Sequence, residues 1–198
     1  GRNWSFFPGC LGPGGVPCPW CWSRNRVLPR MKCEKCRTLE PHFHLERLHE
    51  PVHVNKPTTW LVNFAGDWMG PWVDTQIIKD ALMIMWANPR HKFLTLTKQP
   101  WRLKDFSPFP DNCYVGVSAT DWLTFLAATD YLKLVTAKKW ISLEPLLKWS
   151  VGAPETLKAM MSGISWIVIG AATGCKDIPP PKVEWVDEIV KAADQAGV

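Results

Sequence analysis

Seven cysteines fall at positions 10, 18, 21, 33, 36, 113 and 175, and five of them lie within the first 36 residues. An odd count without a secretion signal points to metal ligation in a reducing compartment rather than to a disulfide framework. The front cluster divides in two ways. Cys10, Cys18 and Cys21 read as C-x7-C-x2-C, with Trp20 directly before the last cysteine. Three thiolates on one loop can hold three irons of a [4Fe–4S] cluster and leave the fourth open to a small molecule. The intervening Leu11-Gly12-Pro13-Gly14-Gly15-Val16-Pro17 suits a loop that wraps a cluster, because Gly and Pro turn the chain without bulk. Alternatively, Cys18, Cys21, Cys33 and Cys36 form C-x2-C-x11-C-x2-C, a tetrahedral zinc pattern. Its central gap is shorter than the ~15–20 residues of the commonest such pattern, and it leaves Cys10 unused. Cys113 sits in an apolar run and reads as a small core residue. Cys175 lies in a Gly-rich turn with no evident partner.

A second set of chemically capable residues stands at the ends of apolar runs. Lys98 and Glu144 each follow such a run directly, where a buried charge requires a partner or a ligand. A structural Lys–Glu pair is the plain alternative. Gly66-Asp67-Trp68, Ser118-Ala119-Thr120-Asp121 and Gly170-Ala171-Ala172-Thr173-Gly174 occupy equivalent places, each open to reading as an ordinary turn or cap. Thr120, for example, is a candidate N-cap for the helix that follows.

The elements that must carry these residues are short. Trp60–Phe64, Phe93–Thr97, Tyr114–Ser118, Trp140–Leu143 and Trp166–Ile169 are nearly continuous apolar runs, as expected of strands buried on both faces of a parallel sheet. Asn3–Phe7 is a weaker first strand. Between them lie amphipathic stretches. Asp74–Ala87 places Ile77, Ile78, Ala81, Leu82 and Met85 on one stripe, and Asp121–Val135 carries Leu123, Leu126, Ala127 and Leu134. Glu155–Met161 and Val183–Ala196 follow. Strand–helix units of about 25 residues argue for a βα-repeat fold, whose chemistry collects where strands run into βα loops.

Composition bounds the reading. The 198 residues, 46% hydrophobic and 21% charged, suffice for one domain with a sizeable core. The chain is shorter than the ~250 residues typical of an eight-fold β/α barrel. It has no run of roughly 18 apolar residues, so no membrane span is expected. The net charge of +5 permits a phosphate-bearing partner without arguing for one. Thirteen Trp against two Tyr imply indoles at core edges or along a pocket, since a buried indole N–H needs an acceptor. The chain lacks an initiator Met and ends at Ala196-Gly197-Val198, so a fragment, cut at one or both ends, is expected.

Taken in order, several stretches carry a resemblance. They are Gly9-Cys10, Pro17-Cys18-Pro19-Trp20-Cys21, His49-Glu50-Pro51, Val62–Asp67, Leu96-Thr97-Lys98, Val115–Ser118, Ser142–Leu147 and Trp166–Gly170. Together they span almost the whole chain. The chain resembles the bacteriophage-associated radical-SAM-like proteins of unassigned function, and through them the radical S-adenosylmethionine superfamily. The resemblance implies that Cys10, Cys18 and Cys21 ligate a [4Fe–4S] cluster whose open iron takes the amino and carboxylate groups of S-adenosylmethionine. Reductive cleavage would then give a 5′-deoxyadenosyl radical that abstracts hydrogen from a substrate. It places Gly66 and Asp67 where a Gly-Gly-Glu-like loop meets the methionine amine, and turns Lys98, Ser118 and Glu144 toward cofactor or substrate. Trp22 replaces the family's usual Tyr, and the Gly170–Gly174 turn lacks its usual acidic residue. Family members continue into a further strand after an Ala-Gly-Val-like segment. Met31–Cys36 reads as an insertion, with Cys33 and Cys36 a candidate accessory zinc pair.

The expectation is therefore a cytoplasmic enzyme of α/β class. It forms a single domain over 1–198, a partial (β/α)6 TIM-like barrel with a cysteine-rich cluster loop in residues 1–40. Lys98 and Glu144 are the expected catalytic residues, and Trp20, Gly66, Asp67, Ser118 and Gly170 the expected cofactor contacts. Trp20, Trp22, Trp68 and Trp101 are candidate aromatic walls, with ordinary packing as the plain reading of each. Partners would be S-adenosylmethionine, an external electron donor and a substrate of nucleotide or nucleic-acid type. The rival is a zinc-stabilised nucleic-acid-binding module using the CxxC pairs with Arg24, Arg26 and Arg30. A third reading is a cluster-bearing but inactive remnant.

Overall fold

The computed structural model describes residues 47–62, 67–150, 154–172 and 178–198. They form an α/β fold around a five-stranded parallel sheet. Its strands are β1 (Thr59–Val62), β2 (Lys92–Thr97), β3 (Cys113–Ser118), β4 (Lys138–Leu143) and β5 (Trp166–Ile169). They pair in chain order with no reversal. The five apolar runs expected beyond residue 55 are all strands; Asn63 and Phe64 of the first run, and the expected strand Asn3–Phe7, lie outside the described residues. No helix among the described residues is long and apolar enough to cross a membrane.

The helices are α1 (Thr75–Ala87), α2 (Trp122–Lys133), α3 (Pro154–Met160) and α4 (Val183–Ala196), with 3₁₀ turns at Glu50–His53 and Pro100–Phe106. Side-chain caps set two of the starts. The Asp74 carboxylate accepts from the Gln76 N–H at 2.7 Å and opens α1. At α2 it is Asp121, not Thr120, that caps the helix. Its carboxylate accepts from the Thr124 N–H at 2.8 Å while the Thr124 hydroxyl accepts from the Asp121 N–H at 3.1 Å, a capping box one residue later than expected. The expected stripe on α2 is also turned. Phe125, Ala128, Thr129 and Leu132 are buried, whereas Leu123 and Leu134 face solvent. The bulk and flatness of Phe125, stacked with Trp122 and packed edge-on against Trp149, outweigh the leucines in choosing the inward face.

Strand register divides the sheet's side chains into two faces. Phe93, Thr95 and Thr97 of β2 share a face with Cys113, Val115 and Val117 of β3, and with Ile141 and Leu143 of β4. These apolar residues pack with Ile78 and Met85 of α1, Phe125 and Leu132 of α2, Leu157 of α3 and Ile189 of α4 in one core. The opposite face carries Leu61, Leu94, Leu96, Tyr114, Trp140 and Trp166, and none of these belongs to that core. Crossovers of one hand in a strand order that never reverses keep every helix on the same side. The expectation that the strands are buried on both faces holds in the middle of the sheet, where Gly116, Trp140 and Ser142 on the second face are also buried, and is corrected at its edges. Leu61 on β1 is 62% exposed and Val168 on β5 is 36% exposed, because each lies on an edge strand and on the face that no described helix covers.

Candidate functional site

The carboxyl ends of the strands are where a parallel sheet presents chemistry. Cross-strand pairing sets Ser118 opposite Ser142, and Ser142 opposite Val168, on the face away from the core. Alternation of the pleat carries Lys98, just past β2, and Glu144, just past β4, to the same face. Gly170 follows β5 at the same level. Four of the candidate residues therefore converge, one from each of four consecutive strands. Ser142, 5% exposed and the register partner of Ser118, joins them. Its position two residues before Glu144 already signals a shared face, by the period of two along a strand.

Glu144 and Gly170 are fitted to one another. A Cβ at Gly170 would lie 2.7 Å from Cγ and 2.8 Å from Cδ of Glu144, so the absence of a side chain lets the glutamate lie across that position. Backbone bonds fix the two loops together. The Gly170 N–H donates to the Leu143 carbonyl at 3.1 Å, and the Leu146 N–H donates to the Gly170 carbonyl at 2.9 Å. Glu144 carries no ion pair among the described residues. Both Glu144 and Lys98 are exposed, which corrects the expectation that they are charges in a buried setting. At Glu144 solvent therefore meets the desolvation demand.

Below this level the open face is paved with rings. The Trp140 indole lies flat over Gly116, where a Cβ would meet Trp140 Cε2 and the Thr95 carbonyl oxygen, at 2.6 Å from the latter. Trp166 stacks on Trp140 with centroids 5.3 Å apart and planes 13° apart, and Tyr114 leans against Trp166 at 5.3 Å. The Lys138 ammonium sits 5.0 Å from the Tyr114 ring centre. None of these aromatics was singled out as a wall by sequence reasoning. The signal was available in their spacing, since Trp140 and Trp166 sit in register on neighbouring strands.

Asp67 behaves differently. It is 5% exposed, and its Oδ1 accepts from the Thr97 hydroxyl at 2.5 Å and the Met69 N–H at 3.1 Å. Its Oδ2 accepts from the Lys98 N–H at 2.8 Å. Thr97 belongs to the core face, so the carboxylate is engaged on the side of the sheet opposite Lys98 and Glu144. Trp68, expected as a possible wall, is a core residue at 2% exposure packed edge-on against Phe109. Trp101 is exposed, its indole N–H donating to the Gln99 side-chain carbonyl at 3.0 Å. The indole N–H groups of Trp60, Trp68 and Trp149 are buried without an acceptor among the described residues, against the expectation that buried indoles are satisfied. Ring packing on Phe109, Phe125, Trp122 and His91 holds these side chains in place instead.

Cys10, Cys18, Cys21, Cys33, Cys36, Cys175, Trp20, Trp22 and Gly66 lie outside the described residues. Among the described residues no group of three or more His, Cys, Asp or Glu is placed to hold a metal. The remaining cysteine, Cys113, is fully buried on the core face, as its apolar run suggested. Burial pushes its thiol up to about 12, with a Thr95 hydrogen bond working the other way. Such a thiol stays protonated and is no nucleophile.

Over residues 2–198 the sequence matches the family model described as "Protein of unknown function (DUF5131)". No curated protein and no solved structure matches the chain.

Proposed function

We propose, for a chain that belongs to the DUF5131 family, that it is a radical S-adenosylmethionine enzyme on a partial β/α barrel. Cys10, Cys18 and Cys21 would hold a [4Fe–4S] cluster beside the carboxyl ends of the strands. One observation carries the reading. Consecutive parallel strands deliver Lys98, Ser118, Glu144 and Gly170 to one end of the face that the core does not use. A sheet that never reverses its order and keeps its helices on one side curves toward a barrel, and that face becomes its interior.

The residues present fit such a cofactor. The missing Cβ at Gly170 lets the Glu144 side chain lie across that position, and Ser118 stands two strands away. When bound, the cluster would supply the electron that cleaves S-adenosylmethionine. The protein's own part is to position and to exclude water. Lys98 offers a cation and Glu144 an acceptor to the polar ends of cofactor and substrate. Gly66 would approach the methionine end and Trp20 the cluster. Trp140 and Trp166 close the floor, denying water the space beneath a reactive carbon. We assign a nucleotide or nucleic acid as the substrate class, consistent with the net charge of +5.

Anaerobic reconstitution with iron and sulfide tests the reading. The expected product is a brown protein that loses its colour in Cys10→Ala. On reduction its electron paramagnetic resonance spectrum changes when S-adenosylmethionine is added, and 5′-deoxyadenosine accumulates. A colourless protein that holds one zinc tightly and ignores Cys10→Ala would overturn it in favour of zinc on the CxxC pairs. A cluster without 5′-deoxyadenosine above background would leave an inactive remnant. Failure to bind any nucleotide or oligonucleotide at low salt would remove the substrate class.

A further inference from the structure

We infer that Asp67 is a positioning residue that acts through Lys98, rather than a direct contact of the cofactor; the inference rests on the site proposed above. The carboxylate lies on the core side of the sheet, 5% exposed, and ties its own loop at Met69 to the end of β2 at Thr97 and Lys98. Oδ2 accepts from the Lys98 backbone N–H at 2.8 Å. Oδ1 accepts from the Thr97 hydroxyl, which in turn accepts from the Gln99 N–H at 2.8 Å. The backbone of residues 97–99 is thus held by one carboxylate and one hydroxyl. A strand end held this way has its pleat fixed, and the pleat decides which face the Lys98 side chain takes. A slip of one residue would turn the lysine into the core and Thr97 out to the open face. A buried carboxylate already accepting from a hydroxyl and two N–H groups is well satisfied where it stands. Turning it to a ligand on the other face would strand those donors.

The test uses the full chain with its lysines reductively ¹³C-methylated, and the Lys98 signal is assigned by Lys98→Arg. Thr97→Val keeps the shape of the strand end and the Asp67 charge but removes the bridging hydroxyl. Asp67→Asn keeps the shape and sets an amide N–H₂ against one of the donors. Both variants are expected to move the Lys98 signal away from its wild-type position, while the signals of Lys133 and Lys191, two exposed helical lysines, stay fixed. A Lys98 signal unmoved in both variants overturns the inference. So does a pattern in which Asp67→Asn alone weakens S-adenosylmethionine binding to the reconstituted protein tenfold or more while the Lys98 signal stays in place, because the carboxylate would then touch the cofactor itself. If the reconstituted wild-type protein binds no S-adenosylmethionine, the proposed function fails, and the lysine signal still decides the role of Asp67.

Discussion

The two faces of the one sheet are built under different rules. On the helix side β2, β3 and β4 are filled by volume, apart from the half-buried Lys139 at the start of β4: Phe93, Cys113, Val115, Val117, Ile141 and Leu143 are at most 2% exposed. Even the polar residues there are committed, Thr95 to the Tyr114 carbonyl at 3.2 Å and Thr97 to Asp67. The other face mixes leucines, a glycine, serines, a stacked indole pair and two charges at its carboxyl end. Adjacent residues fall under opposite rules. Val117 is core and Ser118 is site; Leu143 is core and Glu144 is site. A single step along a strand separates stability from chemistry, so the two can be altered independently.

The largest expected effect breaks the core face. Phe93→Ala removes a fully buried ring beneath α1 and α2, and should cost about 3–5 kcal/mol of unfolding free energy in urea titrations. Leu94→Ala, one residue away on the open face, should cost clearly less. Equal costs would mean that both faces are packed to the same density, and the contrast would be lost.

Much of this division was legible in the sequence. The five strands announced themselves as apolar runs bounded by polar or Gly-containing ends. Lys98, Ser118, Glu144 and Gly170 were marked by standing where those runs stop. What the sequence could not separate was a strand buried on both faces from one buried on a single face. Leu61, Leu94 and Leu96 are as apolar as Phe93, and only the placement of helices on one side tells them apart. The α2 stripe was misjudged for a related reason: leucines are good helix formers wherever they point, and Phe125 sets the packing. The role of Asp67 was hidden because its partners, Thr97 and the Lys98 N–H, lie about 30 residues downstream.

A second expected effect is confined to high pH and again belongs to the core side. The Cys113 thiol is raised from 9.0 to about 12 by burial, so the folded protein holds this proton more tightly than the unfolded chain. Above 9 the unfolded state releases the proton first. This contribution to stability is complete below that value and is lost as pH rises toward 12, at a slope of about 1.4 kcal/mol per pH unit. In urea melts the stability difference between wild type and Cys113→Ala should therefore shrink across that window and stay constant between pH 6 and 8, on the order of the unperturbed range. A constant difference throughout would show that the thiol is not held protonated. A thiol-reactive probe at pH 8, well below the raised value, should label Cys113 only after unfolding.

Next comes the floor of the open face. Gly116→Ala places a methyl where the Trp140 indole now lies and 2.6 Å from the Thr95 carbonyl oxygen, which is backbone and cannot yield cheaply. The expected cost is about 1–3 kcal/mol, together with a red-shifted Trp emission as the Trp140–Trp166 stack opens to water. Trp140→Leu in the same background should recover part of the stability without restoring the emission. Loss of stability with unchanged emission would place the strain in the strand and not in the stack.

The smallest effect sharpens the comparison most. Leu61→Thr keeps a β-compatible residue on an edge strand and removes apolar surface that is 62% exposed on the open face. Little surface returns to water, so the stability should stay within about 0.5 kcal/mol of wild type. Val62→Thr, the next residue, points to the helix side and packs against the core, and should cost more because a hydroxyl enters an apolar setting. The pair sets the two faces against each other: same strand, same substitution product, opposite sides, with the larger side chain removed on the open face. A cost above about 2 kcal/mol for Leu61→Thr would show that the open face is covered in solution as firmly as the helix face, and Lys98, Ser118 and Glu144 would then stand in a closed chamber rather than on an open one.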